Sequence, residues 1–254
     1  MTIRLSTGAR NGMVNGLGFA AMFNRGYGKI FTGSQPATPD SAETGTNLGI
    51  ITSSSGALTK EVRATGTVTI TAAAGGSINT ITVGGLNIIP DGAIAVSGDT
   101  TSTLAAKLAE AVNRNGIMEA SVSGAVVTLR GRPGTGVTTA AVTGSLTTAT
   151  ASYANMSGGT APVNGLIFGA PAAGVIAKLA TQIWSFAGIN GTATAGWFRL
   201  YGSDDPEGAT SSILYPRLDG SIAVSGADLN LSNISIATAS ANTIDTFTFT
   251  MPAA

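Results

Sequence analysis

The chain has 254 residues, of which 13 are Lys or Arg and 13 are Asp or Glu, so its formal net charge is zero, and it contains neither Cys nor His. A neutral chain has no basic excess to neutralise nucleic-acid phosphates, and a chain without Cys forms no disulfide framework or thiolate metal site. Without His it also lacks the commonest general base and metal ligand. These counts argue against nucleic-acid binding and against most enzymes, so we expect a protein with no cofactor and no metal.

Small and apolar residues dominate the composition. Hydrophobic residues make up 43% of the chain and charged residues only 10%, against about 25% charged residues in an average domain. Disordered chains are polar and strongly charged, so this one is expected to fold. A surface with few charges repels other copies weakly, which favours a homo-oligomer. We find no apolar stretch of the kind found in signal peptides or membrane spans, and we expect a soluble protein without membrane contact.

Residues 6–26 carry apolar side chains at a spacing of three to four, which predicts one or two short helices behind the N-cap candidates Ser6 and Thr7. The stripe consists of Ala9, Met13, Leu17, Ala20 and Ala21. Three glycines interrupt it, and each costs up to about 1 kcal/mol in a helix interior. The segment therefore needs a packing neighbour. Short strands are predicted next at 29–32 and 48–52, with a turn-rich loop at 33–40.

Residues 62–160 have a different texture, with long runs of Thr, Ala, Val and Gly. The predicted strands are 67–71, 80–89, 93–96, 120–122 and 126–130. Gly84-Gly85 lies between two β-branched runs and predicts a hairpin turn inside the second of these. The Thr/Ala/Gly-rich stretch 131–159 is interpreted as a low-complexity connection.

One helix is predicted within this middle part. Leu104, Leu108 and Val112 form a stripe at a spacing of four residues. Asp99 or Thr100 is the candidate N-cap, and Gly116 suits the position after the helix. Glu110 and Arg114 are expected to form an ion pair one turn apart. With its strands, this helix predicts a small α+β unit.

The last third of the chain is predicted to be all β. After 164–171 and one or two strands within 175–186, five short strands are expected at 196–203, 213–219, 222–225, 229–236 and 244–251. Phe247, Phe249 and Met251 alternate with Thr, which is typical of a half-buried strand. The apolar parity changes at Ser232-Asn233, so a bend or bulge is expected there.

These elements predict a mainly β protein. We expect a β-sandwich, for which a jelly roll is one form, made from 1–61 and 162–254, with 62–161 inserted as a small α+β surface module. Trp197 and Phe198 are adjacent in a predicted strand and would point to opposite faces. We therefore expect one to lie in the core and the other to face a partner or solvent.

Three parts of the chain carry residue types that could bind a ligand, and for each of them a structural interpretation is favoured. Asp204-Asp205-Pro206-Glu207 offers oxygen ligands for calcium, but a solvated turn is the favoured interpretation. Gly131–Gly136 offers glycines for a phosphate, but Pro133 removes an amide donor and no helix follows, so a flexible loop is favoured. Aromatic residues could form a sugar-stacking platform, although core packing is favoured; they are Trp184, Trp197, Phe198 and Tyr201. No His is present to activate a serine, so no catalytic residue is assigned.

Four stretches resemble a group of small virion structural proteins of tailed bacteriophages. They are R-L-S-T-G-A-R-N (Arg4–Asn11), K-I-F-T-G-S-Q-P-A (Lys29–Ala37), G-W-F-R-L (Gly196–Leu200) and G-A-D-L-N-L-S (Gly226–Ser232). Members usually open with an L-S-T-G-x-R-N stretch, continue with a strand and an S-G-x-Q-P-A turn, and close with a Thr/Phe-rich strand. The resemblance covers residues 1–60 and about 162–254.

Residues 62–160 depart from that pattern and resemble the small Thr/Ala/Gly-rich modules with an A-x-x-L-A-x-A-x-N helix that occur in phage tail and fibre proteins. The resemblance implies a non-enzymatic protein of the virion, on the head, neck or tail, which could be a capsid decoration protein. It implies contacts with other virion proteins and a display role for the inserted module. It carries over no catalytic residue.

Two other functions stay open at this point. A receptor-binding or adhesion component of the tail would contact a host surface glycan through exposed aromatic residues in the insertion or beside Asp204. A glycan depolymerase would need two carboxylates across a cleft, and Asp204, Asp205 and Glu207 lie too close in sequence to be assigned that geometry. For an assembling virion protein, we expect the subunit or virion contacts at Leu5, Met13, Leu17, Trp197 and Phe198, with 1–26 as the anchor.

Overall fold

The structure is a computed structural model that describes residues 3–14, 16–206 and 210–251. The chain is mainly β, as expected. In chain order, the elements are β1 (Arg4–Leu5), α1 (Thr7–Val14), α2 (Phe19–Phe23), β2 (Tyr27–Thr32), β3 (Asn47–Ser53), β4 (Thr65–Val83), β5 (Leu86–Asn87), β6 (Ile94–Ala95), α3 (Thr101–Asn115), β7 (Glu119–Ser123), β8 (Val126–Arg130), β9 (Val142–Ser157), β10 (Val175–Ala177), β11 (Trp184–Ala187), β12 (Ala193–Tyr201), β13 (Arg217–Ala223), β14 (Leu229–Asn230), β15 (Ser235–Ile236), β16 (Ala241–Ile244) and β17 (Thr248–Thr250).

The chain divides into two compact units. The first comprises Met1–Glu61 with Pro162–Ala254, and the second is Val62–Ala161. At the point where the chain leaves the first unit, Thr59 and Val163 exchange backbone hydrogen bonds of 3.2 and 3.0 Å. In the second unit, Val62 and Thr160 do the same at 3.0 and 2.8 Å. The chain therefore leaves and returns through paired segments.

The first unit is built on a nine-stranded sheet. Its main strand order is β1-β13-β12-β2-β3-β11-β16, with antiparallel neighbours, and β14 and β15 pair with β13 and β12. One face carries the apolar core, which also takes in side chains of α1, α2 and the separate β10–β17 pair. Phe19 of α2, for example, stacks on Phe249 of β17 with ring centroids 4.3 Å apart. This layered antiparallel arrangement is of the β-sandwich kind that was expected.

Two features of the C-terminal strands differ from expectation. The predicted strands 213–219 and 222–225 form one strand, β13. Gly220 lies inside this strand, and a Cβ there would be 2.5 Å from the ring of Phe198, so this glycine makes room for the ring. The predicted strand 229–236 is split into β14 and β15, which pair with different neighbours, and the expected bend at Ser232-Asn233 is confirmed.

The N-terminal helices are confirmed as α1 and α2. The Oγ atom of Ser6 accepts a hydrogen bond from the backbone N–H of Ala9 at 3.1 Å, so Ser6 caps α1. Ala9, Phe19 and Phe23 are buried in the core of the first unit. This core provides the packing neighbour that the glycine-interrupted segment needs.

The second unit contains a six-stranded sheet with β4 at its centre. The predicted strands 67–71 and 80–89 are parts of a longer arrangement: β4 runs unbroken from Thr65 to Val83 and turns back into β5 at Gly84-Gly85, whose φ values are 59° and 84°. The hairpin turn is thus confirmed. Residues 131–159 are not a mere connection, because they contain β9, a strand of 16 residues paired along β4.

β9 escaped prediction because its side chains carry almost no alternation. Only Val142, Ala149 and Met156 are buried along it, and the rest are mostly small residues. The β4–β9 ribbon also folds back on itself. Ala140 and Met156 exchange backbone hydrogen bonds of 3.3 and 2.8 Å, and the N–H of Val142 donates to Oδ1 of Asn155 at 3.0 Å. The beginning and the end of β9 therefore lie side by side.

The helix α3 follows its prediction at both ends. Thr100 and Thr103 form a capping box at the N-terminus, and Gly116 ends the helix with a φ of 64°. The predicted stripe of Leu104, Leu108 and Val112 is fully buried. The expected pairing of Arg114 with Glu110 is wrong: Nε of Arg114 contacts Oδ2 of Asp91 at 3.1 Å, a partner from outside the helix. Within the described residues, no helix combines the length and the apolar character that crossing a bilayer requires.

Candidate functional site

The face of the nine-stranded sheet opposite the apolar core carries an ordered set of polar and aromatic side chains. Cross-strand pairing places three residues from each of three neighbouring strands in register. They are Arg217, Asp219 and Ser221 on β13, Tyr201, Arg199 and Trp197 on β12, and Tyr27, Lys29 and Phe31 on β2. We call these nine residues the grid. The intervening residues, such as Leu218, Phe198 and Ile30, point into the apolar core because side chains alternate along a strand.

Three charged residues of the grid have no solvent exposure: Arg199, Arg217 and Asp219. Nε and Nη2 of Arg199 donate to Oδ1 and Oδ2 of Asp219 at 2.6 and 2.7 Å. Nε and Nη2 of Arg217 donate to Oδ2 and Oδ1 of Asp205 at 2.7 and 3.2 Å. Both pairs are bidentate, which is the geometry that compensates best for removing a guanidinium from water.

Aromatic rings flank the central row of charges. Phe31 stacks on Trp197 with centroids 4.4 Å apart, and Tyr27 stacks on Tyr201 at 4.6 Å. The guanidinium carbon of Arg199 lies 5.4 Å from the centre of the Trp197 ring, within cation–π range. Each stacked pair joins β2 to β12, so the grid holds these two strands together through side chains as well as through the backbone.

Residues 33–46, which we call the strap, contact the grid directly. Nη1 of Arg199 donates to the carbonyl of Ser41 at 2.8 Å. The carboxylate of Glu43 accepts from Nζ of Lys29 at 2.8 Å and from the hydroxyl of Tyr201 at 2.6 Å. Side-chain donors of the grid thus hold the strap, and the strap lies against the charged residues of the grid.

The strap is also tied to the N-terminal segment. The guanidinium of Arg4 donates to the carbonyl of Pro36. The carboxylate of Asp40 accepts hydrogen bonds from the backbone N–H and the hydroxyl of Thr7 at 2.8 and 2.7 Å. A carboxylate at the first turn of α1 is favourably placed because free N–H groups end the helix there. β1, α1, the strap and the grid are therefore parts of one hydrogen-bonded network.

Burial sets the acid–base behaviour of the grid. It raises the pKa of the Tyr201 phenol well above its usual range, and the nearby charge of Glu43 adds to this. Burial also raises the pKa of the Asp219 carboxyl, although the hydrogen bonds and charge of Arg199 oppose it. Burial alone would lower the pKa of Arg199, but Asp219 outweighs burial and the pKa is raised. The short bidentate contact favours the ionised form of both partners.

The solvated turn that was favoured for the acidic loop is wrong at Asp205. This residue is fully buried, and its carboxylate is paired with Arg217. Asp205 is consequently not open to a calcium ion. Glu207 lies outside the described residues. Among residues 3–14, 16–206 and 210–251, no three Asp or Glu side chains are grouped in a way that could hold a metal ion.

The interface assignment is wrong for Trp197 and Phe198. Both side chains have no solvent exposure, so neither faces a partner. The expectation assumed that one face of β12 is open, whereas Phe198 lies in the apolar core and Trp197 is buried against Phe31 and Arg199. Trp184 and Tyr201 are buried too, which confirms core packing over a sugar-stacking platform. Leu5, Met13 and Leu17 are half-buried against the core of the first unit, and their role in an interface stays a prediction.

The four stretches that carry the family resemblance meet at the grid. Arg4 and Thr7 bind the strap, Lys29 and Arg199 belong to the grid, and Asp228 accepts hydrogen bonds from the N–H and hydroxyl of Ser221 at 2.9 and 2.7 Å. This arrangement consists of buried ion pairs, stacked rings and hydroxyl–carboxylate hydrogen bonds that join the N-terminal segment, the strap and the sheet.

No protein-family model matches the chain. A search of curated proteins also finds no significant match.

Proposed function

We propose that this chain is a non-enzymatic structural protein of a tailed-bacteriophage virion that assembles with copies of itself and with other virion proteins. The observation that supports this most is the convergence at the grid. Stretches from residues 4–11, 29–37, 196–200 and 226–232, which resemble the same family of virion proteins, contribute to one buried network. Residues that contact one another in one buried network are expected to occur together in related proteins even where none of them is catalytic.

The energetics of the grid favour a structural role. A buried ion pair contributes little net stability, because the cost of desolvation cancels much of the attraction, but breaking it is costly. Arg199 and Arg217 therefore fix one arrangement of the strap and of the sheet. A protein that must present the same surface to many neighbours benefits from such fixed geometry, whereas a substrate cleft would need groups left accessible.

The surface beside α1 supports an assembly role. Val14, Ile213 and Leu214 leave 88%, 62% and 78% of their surface exposed. The hydroxyl of Ser6 donates to the carbonyl of Tyr215 at 2.9 Å, so the segment that carries Ile213 and Leu214 lies against the start of α1. Large exposed apolar side chains are the residues that stable protein contacts bury. We assign this surface, rather than Trp197 and Phe198, as the contact of the N-terminal anchor.

Within this proposal the second unit is a displayed module, and the place on the particle is the head, neck or tail, with capsid decoration as one form. The test is the oligomeric state in solution, measured by light scattering after size exclusion. The wild-type chain should form a closed oligomer, and Ile213→Asp combined with Leu214→Asp should shift it to smaller species. Ile183→Asp, at a site that is 58% exposed elsewhere in the first unit, is the matched control and should not. A wild-type chain that stays monomeric at its highest soluble concentration would count against the self-assembly part of the proposal.

A further inference from the structure

A polar pocket of about 260 Å³ lies in the first unit beside β16, the strand at one edge of the nine-stranded sheet. One wall is formed by residues 230–233, which connect β14 to β15. The other wall comes from residues 241–246, which include β16. The lining carries amides, hydroxyls and a carboxylate, and none of it belongs to the grid or the strap. The pocket is therefore a separate feature of the molecule.

Core residues hold both walls in place. In the first wall, Leu231 is buried, and Ile234 just beyond it packs against the core of the first unit. In the second wall, Ile244 and Phe247 are buried on either side of residues 245–246. The polar side chains between these anchors are therefore carried by backbone whose position is fixed, as a preorganised binding site requires.

Hydrogen bonds within each wall determine which end of each amide is left for a ligand. Oδ1 of Asn230 accepts from the N–H of Ala227 at 3.1 Å, and Oδ1 of Asn233 accepts from the N–H two residues further on at 2.9 Å. In the opposite wall, Nδ2 of Asn242 donates to the carbonyl and the hydroxyl of Ser240 at 2.9 and 3.0 Å. The first wall thus offers NH₂ donors, and the second wall offers an amide oxygen.

The backbone of β16 adds further groups because this strand is at the edge of the sheet. The N–H of Gly188 donates to the carbonyl of Ser240 at 2.9 Å, so that carbonyl faces β11. Backbone groups alternate in direction along a strand, so Ala241 and Thr243, which line the pocket, point theirs away from β11. β16 has only four residues, against about five or six in an average strand. An edge this short favours a compact ligand over an added partner strand.

Asp245 is the only charged residue among the described residues that line the pocket. Its side chain is exposed and makes no ion pair or hydrogen bond with another described residue. A carboxylate only accepts hydrogen bonds, whereas the nearby hydroxyls of Ser232, Thr243 and Thr246 both donate and accept. Calcium affinity rises with the number of carboxylates, so a lone carboxylate disfavours calcium. The pocket instead suits an uncharged ligand that both donates and accepts.

We propose that this pocket binds a neutral sugar through a single ring. Each sugar hydroxyl donates one hydrogen bond and accepts others, so it can join the carboxylate of Asp245 to the amide donors of Asn230 and Asn233. Pockets for drug-sized ligands span about 300–1,000 Å³, so about 260 Å³ suits one ring and not a chain. The site differs in place and in chemistry from the aromatic platform that the sequence offered, and it does not depend on a virion role.

The test is saturation-transfer difference NMR of the full chain, with the methyl glycosides of glucose, galactose and N-acetylglucosamine as separate probes. This measurement observes the ligand and detects weak binding to a protein of any oligomeric state. Glycerol, a polyol without a ring, is the blank. Saturable transfer to at least one glycoside, above the transfer to glycerol, supports the site. Transfer that glycerol reproduces, or none to any of the glycosides, would overturn the proposal.

Two variants assign the binding to this pocket. Asn233→Asp keeps the oxygen that accepts the backbone N–H but removes the NH₂ donor, and Asp245→Asn removes the charged acceptor. Each should weaken binding of the best glycoside about tenfold, because hydrogen bonds to charged groups and unmatched polar groups both have large effects. Asp91→Asn removes an equal charge from an exposed position in the second unit and should leave binding unchanged.

The variants change exposed side chains, and melting curves check that each protein is folded. Full binding by both pocket variants would contradict the assignment, and so would equal weakening by Asp91→Asn and Asp245→Asn.

Discussion

Arg199 and Asp219 lie directly opposite each other on neighbouring strands and form a bidentate ion pair with no exposed side-chain surface. Asp219→Ala would leave the guanidinium buried without its carboxylate, so we expect a loss of about 3–5 kcal/mol in the free energy of unfolding. The double variant Arg199→Met, Asp219→Leu should lose much less, since it removes both charges and keeps apolar volume. Urea unfolding measures both.

The exposed pair of Arg114 and Asp91 provides the control for this prediction. Exposed pairs contribute about 0–1 kcal/mol, so Asp91→Asn should have little effect on unfolding. If Asp219→Ala costs no more than Asp91→Asn, the grid does not organise the first unit.

Tyr201 makes the protein sensitive to alkaline pH. Its pKa in the folded state is raised well above the usual value of about 10, so the folded protein keeps this proton where the unfolded chain has lost it. The stability that depends on the neutral phenol is therefore fully present below about pH 10 and decreases as the pH rises further. One such proton contributes a slope of about 1.4 kcal/mol per pH unit to the free energy of unfolding.

Tyr201→Phe should flatten that slope above pH 10 by about one proton. Chemical unfolding at a series of pH values measures the slope directly. Since the variant also loses the hydrogen bond to Glu43, its stability at neutral pH is expected to be lower, and only the slope is diagnostic. Equal slopes for the variant and the wild type would mean that Tyr201 ionises normally in the folded protein.

Trp197 and Phe198 are expected to behave alike, contrary to the simple alternation argument. Each side chain is fully buried, Trp197 within the grid and Phe198 in the apolar core. Replacing either with Ala should cost about 3–5 kcal/mol of unfolding free energy. The comparison is made by urea unfolding of the two single variants. A much smaller loss for one of them would return that residue to a surface role.

The burial of both faces of this part of the sheet could not be predicted from the sequence. Alternation predicts a buried and an open face, but β12 and β13 are covered on both sides, so the pattern does not identify Arg199 and Asp219 as a buried ion pair. The neighbouring residues in the sequence do not show that a charged residue of a strand is buried. Arg199 contacts the strap, which is distant from it in the sequence. By contrast, α3 was predictable because its caps and its stripe lie within 17 residues of one another.

The strand β9 could not be predicted for a different reason. Thr, Ala and Gly give too little contrast in hydrophobicity for an alternating pattern to emerge, and the strand is defined by its backbone pairing with β4. Pairing partners more than 60 residues apart, such as Val68 and Tyr153, are not visible in a local pattern.

The second unit should fold without the first. Its core is its own, and the paired segments at Thr59–Val163 and Val62–Thr160 let the chain leave and return at neighbouring points. Replacing 62–161 with a short Gly/Ser linker should leave a soluble protein that melts cooperatively, and isolated 62–161 should show the dispersed NMR spectrum of a folded domain. Aggregation of the linker variant, together with an unfolded spectrum for isolated 62–161, would contradict this prediction.

The N-terminal anchor needs point variants and not a deletion. Residues 1–26 include core residues such as Phe19 and Phe23, so removing them would unfold the first unit as well as remove a contact. Ile213→Asp with Leu214→Asp changes only exposed positions, and its incorporation into particles can be compared with that of Ile183→Asp. We expect the first variant to be lost from particles and the second to be retained.

The most direct test of the virion assignment is the number of copies of this chain in each purified phage particle, measured by quantitative mass spectrometry. A structural protein with closed symmetry should be present in a fixed number of copies that matches a symmetric position on the head, neck or tail. Absence from washed particles, or a variable trace amount, would contradict the assignment.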